Sequence, residues 1–162
     1  MKKNYIFILL FGFLALQLSA QISEADKDYN RFAYVDAIKT YERIYERGYK
    51  APDMLLKLAN AYYFNGDLPN AAKYYKELFA TETIVQPECY YRYAQSLKSI
   101  KEYEKADEMM AKFNKENGND LRAKLANTQK NYLEVIKKNS GRYTIENAGI
   151  NSKYSDYGSA YY

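Results

Sequence analysis

Histidine and tryptophan are absent from all 162 residues, and cysteine occurs once, as Cys89. Without histidine the chain cannot build a Ser/His/Asp or Cys/His catalytic centre, nor a histidine-bearing zinc site. A lone cysteine cannot close an internal disulfide. An excess of one charge is missing too. Lys and Arg number 24 against 20 Asp and Glu, and setting aside Lys2 and Lys3 leaves 22 against 20, a difference of +2. The two signs are interleaved along the chain, so the basic face of a nucleic-acid binder is not expected. These absences argue against an enzyme, a metal site, a bound cofactor and an RNA- or DNA-binding role. The abundant residue is tyrosine, with 20 copies. A phenol ring fills volume while its hydroxyl stays wet, which suits helices packed in thin layers or a surface that meets a partner. The length fits one domain.

The first residues read as an address. Lys2 and Lys3 are followed by an almost wholly apolar run from Tyr5 to Leu16, then by Gln17-Leu18-Ser19-Ala20 and Gln21. This three-part pattern is that of a secretory signal peptide over 1–20, with cleavage expected after Ala20. Leu18 is larger than the residue usual at the third position before such a cut, which leaves room for a shift of one residue. The alternative is an uncleaved membrane anchor, but the run is shorter than the roughly 20 apolar residues a spanning helix needs. No cysteine follows the run, so a lipid-modified terminus is not available. Export is expected, to the periplasm or the outer envelope of a bacterium.

Beyond the leader the chain repeats itself. Ala37, Ala71 and Ala106 recur at intervals of 34 and 35 residues, and Ala25, Ala59 and Ala94 do the same. Three further columns share the offset: Tyr34, Leu68 and Tyr103; Tyr41, Tyr75 and Met110; Ile44, Leu78 and Phe113. Small residues belong where two helices cross closely, and the larger columns fall at helical spacing on one face. Pro52 and Pro87 stand where a first helical turn tolerates a missing N–H. Asn65-Gly66-Asp67 supplies a turn in which glycine accepts the left-handed conformation.

A helix-turn-helix unit with this period resembles the tetratricopeptide-repeat family. Leu58 to Leu78, LANAYYFNGDLPNAAKYYKEL, carries the resemblance best. The outer repeats depart from the pattern, with Phe32 and Lys101 where the turn glycine is usual. The first repeat's opening helix is reduced to about Ile22–Arg31 once the leader is removed. After Asn117-Gly118-Asn119, with Asp120 as cap, Leu121, Leu125, Tyr132, Val135 and Ile136 line one side of a stretch reaching Lys138, read as a capping helix. The expected fold is therefore all-α: a solenoid of three helix pairs plus a capping helix over 21–139, followed by a short β-like tail over 140–162.

The tail has no helical period. Tyr143 and Ile145 alternate with polar residues, and Ile150-Asn151-Ser152-Lys153-Tyr154-Ser155-Asp156-Tyr157-Gly158 resembles the entry strand of the β-propeller in OmpA-family envelope proteins of Bacteroidetes. Those proteins run from a signal peptide through tetratricopeptide repeats and a propeller to a peptidoglycan-binding domain. One branch serves the type IX secretion and gliding machinery. The resemblance implies that this chain corresponds to the first part of such a protein. Peptidoglycan would then be reached only through a domain absent here.

The repeat projects Asp26, Tyr29, Asn30, Leu56, Asn60, Tyr63, Tyr91, Gln95 and Lys98 from the first helices toward one groove. Tyrosine rings and amides there suit a protein or peptide partner. The basic and asparagine pattern that clamps a C-terminal carboxylate is not matched, since Asp26 and Ile22 occupy two of its places. Cys89, at a helix start, is read as a small half-buried residue and not a reactive thiol. Acidic pairs such as Glu102 with Glu104 alternate with lysine and read as solvated helix faces. The function expected is a non-catalytic scaffold, with a stand-alone periplasmic chaperone or adaptor as the alternative.

Overall fold

A computed structural model describes residues 17–128 and 131–142, together with Thr144 and Glu146. A first helix, α1, occupies 17–30. It is followed by α2 (Tyr34–Glu46), α3 (Pro52–Phe64), α4 (Leu68–Ala80), α5 (Pro87–Ser99), α6 (Tyr103–Glu116), α7 (Leu121–Thr128) and α8 (Tyr132–Asn139). The expected leader falls mostly outside the described residues. Helix α1 runs through the Ala20–Gln21 junction without a break, and Leu18 and Ile22 both lie against the core.

The boundaries follow local chemistry. Pro52 and Pro87 are each the first residue of a helix, where the ring presets φ and the absent N–H has no partner to lose. Asp67 Oδ1 accepts the Asn70 N–H at 3.2 Å, and Asp120 Oδ1 accepts the Arg122 N–H at 2.8 Å, so α4 and α7 begin on capping carboxylates. Within each pair the turn is one and the same Schellman closure. The N–H groups of Ala33, Asp67 and Glu102 reach the carbonyls of Asp28, Tyr62 and Leu97 at 2.9, 3.0 and 3.0 Å. Such a closure needs a left-handed residue, supplied by Phe32 (φ 63°), Gly66 (φ 81°) and Lys101 (φ 65°). The two substitutions for glycine seen in the sequence thus keep the backbone that glycine favours.

The repeat columns are the core. Ala25, Ala59, Ala94, Ala37, Ala71 and Ala106 are wholly buried, as expected for residues at close helix crossings. Tyr41, Tyr75, Met110, Ile44, Leu78 and Phe113 are buried beside them, each large side chain contributing roughly 1.5–3 kcal/mol by leaving water. The tyrosine-rich composition finds its reason here. The Tyr62 and Tyr74 rings stack at 5.5 Å, and both hydroxyls donate to Glu42 Oε1, at 2.5 and 3.0 Å. Tyr45 donates to Glu77, which Lys50 also reaches at 3.0 Å. Burial works against ionisation of Glu77, but the Tyr45 hydroxyl and the Lys50 ammonium outweigh it and hold the carboxyl below its ordinary range. Helix α2 is thereby tied to α3 and α4 by polar tips on apolar bodies. Helices α3 and α5, the openers of successive pairs, touch each other directly.

The chain divides into two compact units between Ala126 and Asn127. In the first, α7 follows the third pair and buries Ala123, not the leucines of the expected apolar side. Leu121 and Leu125 are exposed, Leu121 by 69%. The stretch read as one capping helix to Lys138 is not continuous, because Asn131 is not helical and a separate helix, α8, begins at Tyr132. In the second unit α8 has no buried residue, and Val135 and Ile136 are exposed by 56% and 57%. Of the β-like tail read over 140–162, only 140–142, Thr144 and Glu146 are among the described residues, and the rest of it lies outside them. Among the described residues no helix is long and apolar enough to cross a membrane.

Candidate functional site

The opening helices α1, α3, α5 and α7 share one face, and polar contacts step along it. Asp26 on α1 accepts the Tyr41 hydroxyl at 2.5 Å and the Lys57 ammonium of α3 at 2.7 Å. One repeat later Asn60 Oδ1 on α3 accepts the Tyr75 hydroxyl at 2.6 Å and Arg92 Nη1 of α5 at 2.9 Å. The two constellations have the same design. A tyrosine on the second helix and a cation on the next opening helix converge on one side chain of the first, at the two carboxylate oxygens of Asp26 and at the single amide oxygen of Asn60. The ladder continues at Glu88 on α5, 3.6 Å from Arg92 and held in a two-pronged pair by Arg122 of α7 at 2.9 and 2.9 Å. Arg122 also reaches Asp120 Oδ2 at 2.9 Å. These hydrogen bonds to two carboxylates hold its guanidinium firmly in the charged form.

Aromatic rings fill the spaces between these pairs. Tyr34 stacks on Phe64 at 5.4 Å, and the Arg92 guanidinium lies over Phe64 at 4.7 Å. Arg122 covers the Tyr91 ring at 4.3 Å and that of Phe113 at 5.0 Å. Tyr63 meets Phe64 edge to face at 5.6 Å. Its phenol is held above the ordinary range by burial first, with Tyr91 and Glu88 adding to this against the lowering pull of Arg92 and Arg122.

The sequence-derived groove residues divide accordingly. Tyr29, Leu56, Tyr63 and Tyr91 are half-buried and pack against the core with one side. Gln95 and Lys98 are half-buried on α5, and Asn30 is exposed at the end of α1. Asp26 and Asn60 are on this face but serve the stack itself, because their oxygens are already engaged by Tyr41, Lys57, Tyr75 and Arg92. The sequence reading missed Lys57, Glu88, Arg92 and Arg122. A signal for the first and third existed, since Lys57 and Arg92 stand 35 residues apart and so share a repeat column. Cys89 is buried, and burial pushes its thiol up, which suits a packing residue. No group of three or more metal-ligating side chains occurs among the described residues.

No family model matches the chain, and no curated protein matches it by sequence. Solved structures do. The Sgt2 TPR domain from Aspergillus fumigatus superposes with a TM-score of 0.55 at 18% identity, over 85% of this chain and 91% of that one. The first TPR of Spaghetti (RPAP3) bound to an HSP90 peptide gives 0.53 at 16% identity, over 75% and 90%. The Yersinia enterocolitica type III secretion chaperone SycD, in complex with a peptide of the translocator YopD, gives 0.51 at 22%, over 75% and 93%. This chain has a tetratricopeptide-repeat fold. The tetratricopeptide register read from the alanine columns is the one the helices adopt, with α1–α2, α3–α4 and α5–α6 as its three pairs.

Proposed function

We propose that this tetratricopeptide-repeat chain is a non-catalytic scaffold that holds a protein segment on the face built by α1, α3, α5 and α7. The observation that carries the reading is the convergence of Tyr63, Phe64, Tyr91, Arg92 and Arg122 from three helices on one surface strip. Rings and guanidinium planes in that arrangement offer large contact area at low entropic cost, as binding hot spots do. Two of the similar structures, Spaghetti and SycD, were solved with bound peptides, which supports the same use of the fold here. A display selection of peptides against the full chain tests it. Selected peptides should compete with one another for one site and lose affinity on Tyr91→Ala. Selection of no peptide, or of peptides indifferent to that change, would count against the scaffold.

The setting we propose is the bacterial periplasm or outer envelope, resting on the Lys2 to Ala20 export pattern. Within it the chain acts as the N-terminal module of an OmpA-family protein linked to secretion, gliding or peptidoglycan anchoring, the reading supported by the resemblance of Ile150 to Gly158. A second reading, a stand-alone periplasmic chaperone or adaptor, is favoured by the similarity to SycD, itself described as a translocator chaperone. Sequencing the mature N-terminus tests export, with Gln21 expected first within a residue or two. The reading frame beyond Tyr162 separates the two settings. Propeller repeats and an OmpA-like domain there support the module, and their lack supports the adaptor.

A further inference from the structure

The chemistry of the face constrains what it can hold, and this step rests on the scaffold reading above. Every acid and base of the ladder has an internal partner: Asp26 with Lys57, Arg92 with Asn60 and Glu88, Arg122 with Glu88 and Asp120. The three cations and three carboxylates cancel. Each guanidinium carbon also lies over a ring, Arg92 at 4.7 Å from the Phe64 centroid and Arg122 at 4.3 Å from that of Tyr91. An acidic ligand would have to displace Glu88 from Arg122, trading a pre-organised two-pronged pair for one made anew with a mobile chain. A basic ligand would meet carboxylates already occupied and two cations beside them. An uncharged segment displaces nothing. It needs only to lay apolar or aromatic side chains against Phe64, which is 46% exposed, and against the half-buried Tyr63 and Tyr91.

We infer that the face takes an uncharged peptide segment bearing apolar or aromatic side chains, and that the ionic ladder positions the rings without recognising charge. The test uses the full chain and two pools of acetylated, amidated ten-residue peptides. One is built from Leu, Phe, Tyr, Pro, Ser and Asn, and the other has Asp and Glu at alternate positions. Binding is followed by fluorescence polarisation from roughly 0.05 to 0.5 M salt, a range over which exposed charge attraction is strongly screened. The uncharged pool should bind, with affinity changing by less than about two-fold across the range, and each of Phe64→Ala and Tyr63→Leu should weaken it by about ten-fold or more, the mark of a hot-spot side chain. Tyr63→Leu keeps a large apolar group in place, and circular dichroism melts of both variants check that the helices persist. Tighter binding of the acidic pool, falling steeply with salt and sensitive to the same substitutions, would overturn the inference while leaving the scaffold intact. Binding of neither pool, or binding that ignores both substitutions, would overturn the scaffold reading together with it.

Discussion

Ala71 has no exposed surface, and its methyl stands in a column of alanines that sets the distance between paired helices. Replacing it with leucine adds three carbons where the crossing has no space. Ala71→Leu is expected to cost about 1–3 kcal/mol, read as a drop in midpoint in thermal or denaturant unfolding. Unchanged stability would mean that the crossing lies elsewhere. Lys101 presents the opposite case. Its side chain is exposed and its backbone is left-handed at φ 65°, a conformation that costs a residue with a Cβ about 1–2 kcal/mol. Glycine removes that cost but adds freedom to the unfolded chain, worth about 0.4–1 kcal/mol. Lys101→Gly is therefore expected to stabilise by roughly 0.5–1 kcal/mol, a rise of a few degrees in Tm. A fall in Tm would show that Lys101 makes contacts that outweigh the strain.

At the scale of elements, the helices differ sharply in what holds them. Helices α3 to α6 each bury at least three residues, and α8 buries none. Eight residues form too short a helix to persist on propensity alone, since nucleation is costly and little is gained per turn. Amide exchange in α8 is expected to be orders of magnitude faster than in α3 to α6, measured by hydrogen–deuterium exchange of the full chain. Equal protection would indicate that α8 is packed against something. The same contrast explains which elements could be read in advance. The three pairs were legible because Ala37, Ala71 and Ala106 must be small and because Pro52, Pro87 and Asp67 mark helix starts by local chemistry. The stretch after Asp120 was not, because Leu121, Leu125, Val135 and Ile136 form an apolar side that looks like a buried one, and periodicity alone does not say whether a neighbour covers it. The site was half legible. Tyr63 and Tyr91 follow from the register, but the tie between Glu88 and Arg122 joins residues 34 positions apart whose pairing depends on how α5 and α7 meet.

In the first unit the helix pairs hold tyrosines that are built in as neutral groups. Tyr41, Tyr62, Tyr74 and Tyr75 are buried, and burial, reinforced by carboxylate partners at the first three, raises their phenols well above the ordinary 10.0. Below that value both states keep the protons and the stabilisation is fully present. Above it the unfolded chain releases protons that the folded chain retains, so stability falls as pH rises. Alkaline unfolding with a tyrosinate absorbance change in step with loss of helix is the expected outcome, and tyrosinate appearing at these four positions with the helices intact would contradict it. The central claim, that the face of α1, α3, α5 and α7 holds a protein segment, is tested most directly by nitrogen-15 NMR of the full chain titrated with a display-selected peptide. The Arg92 and Arg122 Nε–H signals, and the side-chain amides of Asn30 on α1 and Gln95 on α5, report from the opening helices that carry the proposed face, while Arg43 and Asn70 report from the second helices of the pairs. The account predicts shifts concentrated in the first group with the second unmoved. Shifts concentrated at Arg43 and Asn70, with Arg92, Arg122 and Gln95 silent, would contradict it.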